Sequence, residues 1–155
     1  MPAKPEVRLQ ELHITLPPAP KPMAKYKSAV LAGNMLYVSG HGPAKIEGKP
    51  DAGKVGKDLT IEQGKESARA VGLNILATVK ATLGSLNRVK RLIKTLGLVL
   101  CTPEFGDQPK VINGFSELMA EIFGEDAGVG ARSAVGMGSL PMNIPVEIEC
   151  IFEVA

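Results

Sequence analysis

Two periods of apolar side chains divide the sequence. Ser28-Ala29-Val30-Leu31-Ala32 and Met35-Leu36-Tyr37-Val38-Ser39 are short apolar runs separated by Gly33-Asn34, a two-residue signal for an antiparallel hairpin. From Thr60 the period becomes helical. Apolar residues recur at Ala68, Val71, Ile75, Leu76, Val79 and Leu83, Thr60 and Gln63 have the spacing of a capping box, and Gly84 supplies a stop. Arg91 to Cys101 is mostly apolar on both parities, the pattern of a central strand covered on both faces. Asp107 as cap and Pro109 in the first turn predict a second helix, which Val111, Ile112, Phe115, Leu118, Met119 and Ile122 extend to Gly124. Ala131 to Gly138 and Val146 to Val154 then read as strands joined near Leu140-Pro141. The last strand sets Val146, Ile148, Cys150, Phe152 and Val154 against Glu147, Glu149, Ile151 and Glu153 on opposite faces.

Between these elements lie segments of a different character. Residues 1–23 form an arm, with Glu6 to Leu12 as a short amphipathic turn or helix and Leu16 to Pro22 as an extended proline segment; residues 24–155 form the domain. The arm reads as a surface strap whose leucines dock on that domain. Glycines and prolines from Gly40 to Gly56 mark a loop that includes a short strand around Ala44 to Glu47. The order β-β-(β)-α-β-α-β-β predicts an α+β domain, a mixed sheet with two helices on one face. The other face keeps apolar side chains, which points to a homo-oligomer.

Composition narrows the chemistry. A chain of 155 residues, 45% hydrophobic and 22% charged, is ordinary for one globular domain and buries about 70% of its unfolded surface. A formal net charge of +2 creates no broad field for polyphosphate, so nucleic acid is not an expected partner. Two histidines and two distant cysteines give no His/Cys metal site and no disulfide framework; no metal or cofactor is expected, and a reducing, cytoplasmic setting is. No stretch approaches the roughly 18 apolar residues of a membrane span. The N-terminus leads into no apolar signal-type segment.

Several motifs have a plain structural reading. Gly48 to Val55 matches P-loop spacing except that Val55 replaces the Ser or Thr, and the segment reads as a turn-rich loop. Lys80, Arg88, Lys90, Arg91 and Lys94 make a basic patch without interleaved aromatics, which favours a solvated helix end over RNA. Ser39 and His41 are an i, i+2 pair that a strand points to one face, but a triad also needs an oriented base, so His41 is read as stabilising a turn, with a pocket acid or base as the alternative. Arg132 and Glu147 are more informative. If Ala134 paired with Glu147 across a hairpin, Arg132 would lie opposite Glu149 and diagonal to Glu147 on one face. The pattern alone favours an Arg132–Glu149 salt bridge there, with a shared cleft as the alternative.

Leu31 to Gly40, Ala131-Arg132-Ser133-Ala134-Val135, Leu140-Pro141 and Val146-Glu147-Ile148-Glu149, in this order and spacing, resemble the Rid (YjgF-like) family of reactive-intermediate imine/enamine deaminases, in the subgroup called endoribonuclease L-PSP or chorismate-mutase-like. The resemblance runs from Tyr26 to the C-terminus. It implies a chorismate-mutase-like fold, a homotrimer with clefts between subunits, and hydrolysis of 2-imino or enamine acids to 2-keto acids and ammonia without a cofactor. By resemblance Arg132 is the arginine that holds the substrate carboxylate, Glu147 the acid that orients water, Tyr26 an aromatic residue near the cleft, and Asn113 an asparagine of the second helix. Ala134 stands where the family usually has cysteine, Lys25 replaces a glycine and His41 a glutamine, changes that reshape the pocket. The expected function is therefore a 2-iminobutanoate/2-iminopropanoate deaminase-like hydrolase acting on a small carboxylate. A non-catalytic carboxylate-binding protein and an endoribonuclease are the alternatives.

Overall fold

The computed structural model describes residues 3–155. Five strands, β1 (Ala29–Ala32), β2 (Met35–His41), β3 (Val89–Leu100), β4 (Ala131–Met137) and β5 (Val146–Val154), form one mixed sheet in the order β1-β2-β5-β3-β4. Two long helices, α2 (Ile61–Leu83) and α3 (Gln108–Gly128), cover one face, and a short helix α1 (Pro5–Glu11) precedes the sheet. The α+β architecture with helices on one face is the one the sequence predicts. The expected strand around Ala44 to Glu47 is absent, and this segment is irregular chain.

Sheet order departs from expectation in a way that governs the site. β4 does not pair with β5. It runs parallel to β3, with Thr95 beside Arg132 and Gly97 beside Ala134, because α3 carries the chain back across the sheet between them. The last strand instead inserts antiparallel between β2 and β3, so β5 rather than β3 is the middle strand. Its Val146, Ile148, Cys150, Phe152 and Val154 are all buried under the helices. Such a position removes the largest apolar row from water, at about 1.5 to 3 kcal/mol per large side chain. Neither the Ala134–Glu147 pairing nor the Arg132–Glu149 salt bridge forms, since Glu149 faces Leu96 and Glu147 faces Leu98 on β3.

Local signals behave as their chemistry requires. Thr60 and Gln63 complete a reciprocal capping box, and Gly84 closes α2 in the left-handed region at φ 85°. Asp107 stands at the start of α3 but its side chain makes no capping bond; it faces Lys110 Nζ at 3.4 Å instead. Gly124, at φ 89°, breaks the helical geometry where the apolar period ends, and the chain then turns on to Gly128. The Gly48 to Val55 segment is a loop, tied down by Asp58 accepting from the Lys54 amide at 2.9 Å.

The arm is held by an ionic clasp. Glu6 accepts from the Leu86 amide and from Lys80 Nζ, each at 3.0 Å, while Arg8 Nε donates to the Glu121 carbonyl at 2.9 Å. Hydrogen bonds from Leu86, Lys80 and Ser85 outweigh desolvation and lower the Glu6 pKa. Leu9 is buried, and Leu12, Ile14 and Leu16 pack on the core. Much of the basic patch is also committed, with Arg88 on the Ala155 and Leu83 carbonyls and Arg91 on Asp126.

α2 and α3 approach closely at Gly114, where a Cβ would collide with the Lys65 carbonyl oxygen. Relief would require the two backbones to separate, so Gly114→Ala is expected to destabilise the protein by about 2 to 3 kcal/mol. Urea denaturation at one protein concentration checks this; an unchanged midpoint would contradict the close crossing.

Candidate functional site

Arg132 projects from β4 towards α3. The β3–β4 register places it on the face of Thr95, which is buried beneath the helices, and α3 supplies its partners. Nη1 donates to Asn113 Oδ1 at 2.8 Å and to Ser116 Oγ at 3.1 Å, and Nη2 donates to the Pro109 carbonyl at 3.4 Å. All three acceptors are uncharged. Among the described residues Arg132 has no carboxylate partner, so no counter-charge offsets this half-buried cation. Ala134, two residues on, lies on the same face of the strand, beside Gly97.

Glu147 stands on the opposite face of the sheet. Its neighbour across β3 is Leu98, and its carboxylate packs so closely on Gly40 of β2 that a Cβ there would collide with Oε2. Burial, and then the charge of Glu149, raise the Glu147 pKa above the ordinary value of 4.5. This carboxylate has no ion-pair partner among the described residues. Around it the uncovered face carries Leu96, Leu98, Ile151, Tyr37, Val30 and Val135, the last three between 41% and 48% exposed.

One chain therefore brings Arg132, Asn113 and Ala134 together and keeps Glu147 apart from them. Tyr26, 48% exposed, precedes β1 at the far edge of the sheet, four strand spacings or about 19 Å across from β4. Ser116 and the Pro109 carbonyl were not anticipated from sequence, although residues 109, 113 and 116 share one stripe of a helix. In the sequence the Gly40–Glu147 approach is marked only by a glycine inside a strand.

His41 belongs to neither group. It is buried, with Nδ1 at 2.6 Å from the Ser39 carbonyl and Nε2 at 2.8 Å from Thr78 Oγ1. A carbonyl only accepts, so Nδ1 carries the proton, and because burial disfavours the charged ring, Nε2 is the acceptor for the Thr78 hydroxyl. Its contacts tie the end of β2 to α2.

Comparisons with known proteins agree with this architecture. The profile of the family described as "YjgF/chorismate mutase-like, putative endoribonuclease" matches residues 6–153. Protein TCP17 of Trypanosoma cruzi is 41% identical over 145 residues, covering 94% of this chain and 91% of that protein. The crystal structure of Atu1372, a protein of unknown function from Agrobacterium tumefaciens, is 45% identical with a TM-score of 0.86, covering 97% and 94% of the two chains. A 2-iminobutanoate/2-iminopropanoate deaminase of Dermatophagoides farinae is 28% identical over 138 residues, 89% of this chain and 92% of that one. No helix among the described residues is long and apolar enough to cross a membrane.

Burial lowers the His41 pKa below 6.5, against a smaller opposing effect of the Ser39 carbonyl. The unfolded chain thus binds this proton more readily, and the stabilisation from neutral His41 is complete above pH 6.5 and lost as pH falls below it. The melting temperature should drop more steeply between about pH 6.5 and 5 in the wild type than in His41→Gln. Parallel curves for the two proteins would contradict the neutral buried ring.

Proposed function

The chain belongs to the YjgF/chorismate mutase-like family, and on that premise we propose that it hydrolyses small 2-imino and enamine acids to 2-keto acids and ammonia, in clefts between the subunits of a homotrimer. The observation that carries this reading is the Arg132 guanidinium, held by three uncharged acceptors and left without a counter-charge. A related deaminase of the same length class supports the reaction type. The separation of Arg132 and Glu147 on opposite faces supports the location, because a second copy is needed to bring a Glu147 to an Arg132. Ring closure by three copies would also remove each subunit's apolar open face from water.

In such a cleft Arg132 grips the substrate carboxylate through two parallel N–H bonds, a charge-assisted contact of about 1.5 to 3 kcal/mol. Asn113 steadies the guanidinium, Ala134 lines the wall beside it, and Tyr26 of a neighbouring copy borders the opening. Glu147 of the facing copy, as carboxylate, accepts a proton from water while the water oxygen bonds to the imine carbon, and it passes that proton to the imine nitrogen to give a carbinolamine. Collapse then transfers the hydroxyl proton through the same carboxylate to nitrogen, breaks the C–N bond, forms the keto group and expels ammonia. The raised Glu147 pKa makes it a stronger base than a free carboxylate. We place the protein in the cytoplasm, where its buried thiols Cys101 and Cys150 stay reduced.

An assay in which an amino-acid oxidase generates the imino acid tests the reaction. Arg132→Ala should lower kcat/KM by about 100-fold and weaken 2-ketobutyrate binding with it. Glu147→Gln should lower kcat by about 10² to 10⁴-fold while leaving that binding intact. Arg132-dependent ketobutyrate binding with no wild-type turnover would identify a carboxylate carrier instead. RNA cleavage by purified protein that disappears in Arg132→Ala would identify a ribonuclease.

A further inference from the structure

A guanidinium offers five N–H groups in a fixed plane, and α3 consumes a particular subset of them. Both hydrogens of Arg132 Nη1 are used, one by Asn113 Oδ1 at 2.8 Å and one by Ser116 Oγ at 3.1 Å. Nη2 gives one hydrogen to the Pro109 carbonyl at 3.4 Å, the longest of the three contacts. Residues 109, 113 and 116 are spaced i, i+4 and i+7, so all three acceptors line one stripe of α3. The hydrogens that remain are that on Nε and one on Nη2, and with the Pro109 carbonyl on the Nη2 hydrogen nearer Nη1 these two donors would point in parallel from one edge of the guanidinium. An anion approaching end-on, across Nη1 and Nη2, would have to break the bond to Ser116 or Asn113.

We propose that Ser116 is a positioning residue which, with Asn113, ties up Nη1 so that the substrate carboxylate is met side-on by the Nε–H and Nη2–H pair of Arg132. The inference rests on the deaminase reading and specifies how its binding group is presented. Three acceptors on one rigid helix fix the guanidinium plane before substrate arrives, which lowers the ordering cost of a bidentate contact. Because the acceptors are neutral, they orient the cation without spending its charge. A planar carboxylate fits this fork, whereas a lysine would supply charge without the paired geometry.

The test is 2-ketobutyrate titrated calorimetrically into wild type, Ser116→Ala and Ser116→Thr, with melting temperature and imine turnover measured on each. Ser116→Ala should weaken ketobutyrate binding and raise KM by about 5- to 10-fold with little change in kcat, as for a uniform binding contact. Alanine favours helix over serine, so the melting temperature should hold or rise, which separates positioning from a general structural role. Ser116→Thr keeps the oxygen and should restore binding. A crystal of the ketobutyrate complex should show the carboxylate on Nε and Nη2. If wild type binds ketobutyrate through Arg132 but Ser116→Ala binds it equally well, or if the carboxylate meets Nη1, this inference alone falls. If wild type does not bind ketobutyrate at all, the deaminase reading falls and takes the inference with it.

Discussion

The pleat of the sheet forbids Arg132 and Glu147 of one subunit from meeting. Thr95 and Arg132 are paired on the helix-covered face, whereas Leu98 and Glu147 are paired three residues along β3 on the uncovered face. Side chains at odd separation on a strand point to opposite sides, and no rotamer of either residue reverses that. Any chemistry that uses both groups at once must borrow one from another copy. Burial of the apolar open face, with Leu96, Leu98, Ile151 and their neighbours, would favour such an association.

What holds each half in place is different. Arg132 depends on the packing of α3, which is pressed against α2 at Gly114 and against the sheet where Ile112 fills the space left by Gly97. A side chain at either glycine would push α3 away from the guanidinium it steadies, so core packing and site geometry are linked through one helix. Glu147 depends on the register of β2 and β5. The irregularity between Val38 and His41 sets Gly40 against the carboxylate, and buried His41 anchors the end of that strand to Thr78 of α2.

The elements were legible because their signals are local. Thr60 with Gln63, Gly84, Gly33-Asn34 and the alternation in β5 each act within a few residues, and each appears as expected. Strand neighbours were not legible. Alternation in residues 131–138 and 146–154 tells which side chains share a face within a strand but not which strand lies beside which. The short connection through Leu140-Pro141 therefore suggested a hairpin, while burial of the apolar row of β5 outweighed proximity in sequence. For the same reason Arg132 and Glu147 were recognisable as chemically capable residues, yet their placement on opposite faces depended on a long-range register that the residues themselves do not encode. Asn113 and Ser116 reach Arg132 only because α3 lies along β4, a contact that no local pattern encodes.

The claim that one cleft draws its arginine and its carboxylate from two copies is tested most directly by mixing two inactive variants. Arg132→Ala and Glu147→Gln are denatured together in equal amounts, refolded and assayed for imine hydrolysis. In randomly mixed trimers three-quarters of the rings contain both variants and each such ring holds one intact cleft of three, so activity should recover to about one quarter of wild type. Activity no higher than that of the two parents, from a mixture shown to contain mixed rings, would contradict the shared cleft.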